Sequence, residues 1–487
     1  METSFVGRGG DTGDGSAVYL ALVAAATALA GLLFGFDTAV IAGTVDRVQA
    51  QYSLSALEVG VFTSSALVGC IAGALAAGWM GDRFGRKPSL VVAGLLFLIS
   101  AFFSMLPPNY PGLLVARVIG GVGVGIASVL APTYLSELAP PRIRGRLVAG
   151  YQLSIVVGIL AAYFSNWLIL RAALAGGDWP AGLRFVLVDE PWRAMFGAEM
   201  IPNVLFLAML FVVPESPRWL IETGRVERGR AILERISGPQ MAAREVADIA
   251  AATSAEPGSL AELVAPGLRR ALLVGVMLSV FGQLSGVNTV IYYGPKILEA
   301  AGFAETAAFL GQVGFGLINL VFTVLALALI DSLGRRPLLI GGMGVVAVTL
   351  AVIGILFQGL GPLADAAPAA AAGPALPVAP GRAIAIGVAI CIYMAAIAFS
   401  ICAVIWVLTP EIFPNRVRGR AVSLCTFANW TTNALAALAF PWVVEQFGMA
   451  AAFLAAAGIC AAATGFFFIA VPETKGRSLE AIEAGWR

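Results

Sequence analysis

The roughly 30 Å hydrocarbon core of a bilayer demands about 20 apolar residues of any helix that crosses it. This chain offers twelve such runs, at 17–43, 58–80, 88–105, 111–133, 147–170, 194–213, 268–292, 305–330, 337–357, 383–408, 420–443 and 449–470. In lipid every backbone amide must be satisfied within its own segment or in a closed barrel, and runs of this length are helices. The one long polar segment, 214–267, parts six runs from six. The expected fold is therefore an all-α membrane protein of twelve transmembrane helices in two six-helix halves, 17–213 and 268–470. Residues 214–267 form the linker between them, and 1–16 and 471–487 are tails.

Composition agrees: 59% hydrophobic and 12% charged residues lie far outside the soluble range. A net charge of +1 gives no reason to expect a nucleic-acid partner. The chain has no histidine, so the usual proton shuttle and the commonest metal ligand are missing, and no metal or cofactor site is expected. Cys70, Cys391, Cys402, Cys425 and Cys460 all fall in apolar runs without a C-x-x-C pair and read as packing residues. The first sixteen residues carry Glu2, Asp11 and Asp14 against Arg8, unlike the basic start of a signal peptide, and the first apolar run reads as a retained span.

Short polar motifs occur twice. ELAPPRIRGR (137–146) follows span 4 and EIFPNRVRGR (411–420) follows span 10, sharing the Glu, a Pro, three Arg and the Gly in register. GDRFGRKP (81–88) is answered by DSLGRRP (331–337), and VPESPR (213–218) by VPETKGR (471–477). Lys and Arg number 23 in the tails and even-numbered loops against 6 in the odd-numbered loops, which puts the repeats and both termini on the cytoplasmic side of the cell (inner) membrane. Two readings fit the repeated charges. They can merely set orientation, or they can form latches between helices, with Asp82, Arg83, Arg86, Glu137, Arg144, Glu215 and Arg218 in one half and Asp331, Arg335, Arg336, Glu411, Arg418 and Glu473 in the other. Acids count little in the orientation rule, and the shared acids favour the latch. RVERGRAILERI (225–236) has helical spacing of its apolar positions, so short amphipathic helices are expected in the linker, whereas the Ala/Pro-rich 363–381 reads as an extracellular loop without a site.

An ionisable group at mid-membrane costs about 2.5 to 3.5 kcal/mol even on the lenient insertion scale. Asp37 in span 1, Arg117 in span 4 and Glu199 in span 6 are such groups, all in the first half. They are either an ion pair that fixes packing or a site that handles charge. Neutral hydrogen-bonding residues form the second set: Gln152, Gln283, Asn288, Tyr292, Asn319, Trp406, Asn429 and Trp430. Asn288 and Tyr292 are four apart and share a helix face, and Gly282, Gly286 and Pro295 allow that helix to be irregular. Singly, each amide could be an interhelical hydrogen bond. Together, amides that donate and accept beside indole faces suit a neutral polyhydroxylated ligand. GGVGVG (120–125) lies inside an apolar run with no preceding strand and no Lys, and reads as close helix packing rather than a nucleotide loop.

These motifs, with G-x-x-x-D-R-x-G-R-K (78–87), PESPR and PETKGR, resemble the sugar porter family of the major facilitator superfamily along nearly the whole chain. GLLFGFDTAV (31–40) and WRAMFGAEMIP (192–202) resemble its bacterial proton-coupled pentose and hexose symporters, the xylose/proton symporters above all. The resemblance implies the major facilitator fold, two bundles rocking about a central site and working as a monomer. It implies import of a monosaccharide by proton symport with alternating access, with Asp37 as proton acceptor, Arg117 as its partner and Glu199 nearby. It places sugar contacts at the neutral residues above; the repeated motifs themselves, set on the cytoplasmic face, read as paired latches that should part when the protein opens inward. A facilitative uniporter and, more remotely, a sugar-sensing receptor are the alternatives; the lack of histidine, metal cluster and G-x-S-x-G element speaks against an enzyme. The chain departs from the family twice. Gly282 stands where a Gln is common, and Cys402-Ala403 replaces a Gly-Pro pair, which predicts a straighter span 10.

Overall fold

The computed structural model describes residues 17–107, 109–140, 144–253, 260–265, 267–360 and 378–477. The first tail, residues 478–487 of the second and most of the 363–381 loop thus lie outside the described residues. Eleven helical segments are long and apolar enough to cross a membrane. The first ten are spans 1–10: Leu20–Gly43, Ala56–Phe84, Arg86–Met105, Tyr110–Leu138, Leu147–Ala175, Pro191–Val212, Arg269–Ala300, Glu305–Leu333, Arg335–Phe357 and Pro380–Glu411. The last, Arg416–Ala470, breaks at Gly448, whose φ of 82° and ψ of 166° no helix contains. A 55-residue helix would be about 80 Å long, far more than a bilayer, so it supplies spans 11 and 12. Twelve crossings put the start of span 1 and the end of span 12 on one side, the basic face, which also carries the repeated basic motifs.

Local sequence explains how the duplicated corners are built. Spans 2 and 3 meet at Gly85 and spans 8 and 9 at Gly334, with φ of 101° and 92° and ψ of 166° and 158°, a conformation open to glycine alone. Each is the Gly of its copy of the motif. Span 2 starts on a capping box, Ser55 with Glu58. The glycines of 120–125 do pack helices: a side chain on Gly121 or Gly125 would strike the span 2 backbone at Ala66 or Cys70. Gly31 and Gly35 bring span 1 onto span 5 in the same way. In the second half, Gly354 admits Leu454 of span 12 to span 9, and Phe357 stacks on Phe453 with centroids 5.6 Å apart.

The halves touch mainly near the face opposite the basic one. Gly60 of span 2 lies on the Leu438 carbonyl of span 11. Tyr163 of span 5 donates to the Ile291 carbonyl of span 7 at 3.3 Å. Farther out, Arg47 meets Glu305 at 2.5 Å, and Lys296 meets Asp46 at 3.3 Å and Gln49 at 2.9 Å, each across the halves. Toward the basic face the halves part around a cavity of about 420 Å³ lined by spans 1, 2, 4, 5, 10 and 11.

Two spans are interrupted. Span 7 breaks at Gly286 (φ 86°), as its glycines suggest, and Tyr393 caps the break by donating to the Ser285 carbonyl at 2.9 Å. Span 10 is not the straighter helix expected from Cys402-Ala403. It breaks at Ser400 (φ −109°, ψ −103°), between Pro380–Phe399 and Ile401–Glu411. The serine hydroxyl donates back to the Ala396 carbonyl at 2.7 Å, and Gly342 of span 9 lets the bend press inward, so neither Pro nor Gly is needed. The linker forms helices Pro217–Glu222, Val226–Ser237, Pro239–Thr253 and Leu260–Leu263, with a small core of Ile221, Leu233 and Ala242. It is amphipathic, as its spacing indicates.

Candidate functional site

Span 1 places Asp37 against span 4. Arg117 Nη1 donates to Asp37 Oδ1 at 2.5 Å and Nη2 to the Asp37 backbone carbonyl at 3.3 Å. Both side chains are about 2–3% exposed. The Phe196 ring lies under the guanidinium at 5.1 Å, a cation–π contact strengthened by the burial of both groups. Glu199, where span 6 is irregular, is buried within electrostatic reach of both. Glu199 Oε1 and Arg117 Nε have no partner among the described residues. The three charges expected to meet do meet. One guanidinium faces two carboxyls, so the group is neutral when it holds one proton.

The same span presents Phe34 and Thr38 to the other side, toward a central cavity of about 130 Å³. Its second-half wall is an amide chain: Asn288 Nδ2 donates to Gln283 Oε1 at 2.6 Å, and Gln283 Nε2 to Asn429 Oδ1 at 2.8 Å. Each amide has donors and acceptors beyond these bonds. Gln152, Asn319 and Trp406 complete the expected set, and Thr323 donates to Asn319 at 3.4 Å. Trp406 is 44% exposed and lines both this cavity and the larger one toward the basic face. At Gly282 a Cβ would reach Ile405 and Ile401 only at ordinary contact distance, so the missing Gln leaves the cavity wider there.

Two expected members lie elsewhere. Tyr292 shares the face of Asn288 but sits one turn, about 6 Å, nearer the closed end, where it is buried and bonded to Asn433 Nδ2 at 3.0 Å. Trp430 faces the larger cavity on the basic side, tilted against Phe34 at 5.6 Å, and its indole N–H has no partner among the described residues. Phe34, Thr38, Thr323 and Tyr151 line the two cavities without having stood out in the sequence. An aromatic or a threonine in an apolar run gives no signal; only the position of Thr38 beside Asp37 hinted at it.

The repeated motifs build two matching clusters. In the first half Arg86 holds Glu137 through Nε at 3.1 Å and Nη2 at 3.0 Å, and Asp82 at 3.2 Å, while Ser216 donates to Glu137. Glu215 accepts the backbone N–H groups of Arg86, Lys87 and Ser216 at 2.7–3.1 Å. In the second half Arg335 holds Glu411 at 2.9 Å and Asp331 at 2.8 Å, Thr474 donates to Glu411, and Glu473 accepts from the backbones of Arg335, Arg336 and Lys475. The clusters differ in one respect. Burial pushes the Glu215 carboxyl above the usual range in spite of its N–H partners, whereas at Glu473 those partners outweigh burial and hold it below.

Each cluster is closed within its own half, and both are intact although the halves stand apart on this face. The expected latches between helices thus join helices of one bundle in each case and act here as clamps inside each half. The side chains of several expected members stay outside them. Arg83 is exposed with no partner among the described residues, Arg218 pairs with Glu222 at 2.9 Å, Arg336 donates to the Phe468 carbonyl at 2.6 Å, and Arg418 donates to the Phe413 carbonyl. The Arg144 side chain lies outside the described residues.

A twelve-span body in two matched halves, a polar cavity between them and a buried ionisable trio beside it define a membrane carrier. The family model for the sugar (and other) transporters matches residues 23–486, and the chain belongs to that family. It is 37% identical over 469 residues to the arabinose-proton symporter of Bacillus subtilis (strain 168), covering 96% of this chain and 95% of that one. It is also 37% identical over 503 residues to the D-xylose-proton symporter of Escherichia coli (strain K12), covering 96% of each. Among solved structures, the inward-open conformation of the xylose transporter XylE from E. coli matches with a TM-score of 0.79 at 35% identity, over 96% of this chain and 100% of that one.

Proposed function

We propose that this protein imports a monosaccharide, a pentose or hexose, by proton symport, exposing one midplane site alternately to either side of the membrane. The observation that carries the reading is the juxtaposition on span 1: Asp37 faces the Arg117 guanidinium while Phe34 and Thr38, on the same two turns, face the amide-lined cavity. A proton on the trio loosens the hold of Arg117 on Asp37, and occupation of the cavity acts on the same helix. Sugar hydroxyls would pair with Gln152, Gln283, Asn288, Asn319 and Asn429, and the C–H face of the ring would rest on Trp406. The excess of Lys and Arg makes the basic face cytoplasmic, which puts both termini inside and reads the structure as inward-facing. One chain forms the whole cavity, so the working unit is a monomer in the lipid of the cell membrane.

The test is uptake of labelled pentoses, hexoses and inositols into a transport-deficient host, with and without an uncoupler. Accumulation of at least one sugar, collapsing with the uncoupler, is expected. Uptake of none would overturn the sugar assignment, and uptake indifferent to the uncoupler would leave a facilitative carrier.

Two further outcomes follow from the geometry. Gln283→Ala breaks the amide chain at its middle member and strands hydrogen-bonding groups on Asn288 and Asn429. At about 1 to 3 kcal/mol for such a loss, KM is expected to rise on the order of tenfold or more, with coupling to protons retained. A KM within twofold of the parent would remove Gln283 from the site. Arg47→Glu sets two acids against each other across the outer contact. This pair is half-exposed, so the shift toward outward-facing forms is only about 1 kcal/mol, roughly fivefold, seen as faster labelling of a cysteine at the outer mouth. Adding Glu305→Arg should reverse it; a double variant that labels as fast as the single one would show that the contact does not hold the halves.

A further inference from the structure

A groove of about 770 Å³ opens on the basic face between the start of span 3, the exit of span 6 and the linker helices Pro217–Glu222 and Val226–Ser237. Its walls are apolar, chiefly Phe84, Trp219 and Ile232, and its rim carries four cations, Lys87, Arg225, Arg228 and Arg235. The one acid that lines it, Glu215, is already taken up by three backbone N–H groups. Arg225 lies over the Trp219 ring at 5.2 Å, and Lys87 donates to the Val213 carbonyl at 2.8 Å. Arg228 and Arg235, two turns apart on one helix face, have no anionic partner among the described residues. The neighbouring Arg218 and Arg230 do, in Glu222 and Glu234. A stripe of cations left unpaired over an aromatic floor is not what the linker needs in order to fold.

The position of the groove says what complements it. Beside it, Phe84, Phe211 and Val212 are 50%, 77% and 59% exposed, as residues facing lipid are, so the groove lies where span ends leave the hydrocarbon. A ligand that satisfies both surfaces carries negative charge at one end and apolar chains at the other. A free inorganic anion would use the arginines and leave the apolar wall bare. We propose that the groove binds the headgroup of an anionic phospholipid from the adjoining leaflet, its phosphate between Arg228 and Arg235 and its chains along Phe84 and Phe211. The lipid would tie the linker to spans 3 and 6 beside the Arg86 and Glu137 clamp.

The test uses the full chain in detergent, titrated with phosphatidylglycerol or with phosphatidylcholine, with bound lipid counted by native mass spectrometry and the melting temperature followed in parallel. Phosphatidylglycerol should be retained and raise the melting temperature, and phosphatidylcholine should not. Arg228→Gln with Arg235→Gln should weaken retention roughly thirtyfold, at about 1 kcal/mol per charge. Arg269→Gln with Arg270→Gln removes two exposed charges from the same face outside the groove and should leave retention unchanged. Equal binding of both lipids, an equal loss in the Arg269 and Arg270 variant, or full displacement of phosphatidylglycerol by inorganic phosphate would each overturn the proposal. Both substitutions are on exposed positions, and the melting temperature without lipid reports directly that each variant is folded.

Discussion

Asp37→Asn is expected to abolish accumulation of sugar against a gradient while sparing exchange of sugar across the membrane. One proton carried per sugar draws about 2.3 kcal/mol from every 100 mV of potential, enough for roughly fiftyfold accumulation. Asparagine cannot take up and release that proton, so the accumulation ratio should fall from that level toward one, and alkalinisation of the medium on adding sugar should vanish. Exchange should survive because Phe34 and Thr38 still line the cavity and the amide chain from Asn288 to Asn429 is untouched. Asparagine also keeps the shape of the carboxyl, and Glu199 remains to balance Arg117. The alternative, an ion pair that only fixes packing, predicts something else: both accumulation and exchange would fall together, along with the amount of folded protein. Counterflow in proteoliposomes beside uptake under an imposed proton gradient separates the two. Accumulation that persists in Asp37→Asn would remove Asp37 as the coupling group.

That the trio could be picked out beforehand has a simple cause. A charge in an apolar run is costly enough to need a reason, and Asp37, Arg117 and Glu199 were the charges without a loop nearby. The amides at 283, 288 and 429 stood out for the same reason, and the halves through motifs that had to recur at every matching corner, down to Gly85 and Gly334. What stayed hidden depends on depth and rotation along a helix. Tyr292 keeps the face of Asn288 but lies a turn deeper, past the point where the halves have met. Trp430 follows Asn429 directly, so its indole projects about 100° away, into the wider vestibule. The break at Ser400 comes from a hydroxyl and a close neighbour on span 9, neither of which marks a sequence as a proline would. The repeated motifs also marked acids and arginines that meet, without telling which pair with which or whether the pairs join the halves or stay within each, because both arrangements use the same motifs.

The clamps carry the second large effect, and their unequal burial sets its size. Arg86 and Glu137 are 9% and 8% exposed, and Glu137 also serves Ser216, so Arg86→Ala leaves a carboxylate stranded out of water with half its partners gone. Breaking such a buried pair from one side costs about 3 to 5 kcal/mol. The same cut at Arg335→Ala strands Glu411, which is 27% exposed and can be rehydrated, so the cost falls toward the 1 kcal/mol or less of a partly solvated pair. Two arginines at matching points of a duplicated fold should thus differ by about 2 kcal/mol or more in what their loss does, with Arg86→Ala the far less thermostable variant. Glu137→Gln provides the cross-check, since it keeps an acceptor for Arg86 and Ser216 but removes the charge, and it should be milder than Arg86→Ala. Because the clamp stays closed while the basic face is open, the loss should appear as a lower melting temperature of the solubilised protein, in every conformational state, and not as a change in the balance between inward- and outward-facing forms. Equal melting temperatures for Arg86→Ala and Arg335→Ala would show that burial does not set the strength of these pairs, and a shift in that balance at constant stability would restore to them the part of a latch between the halves.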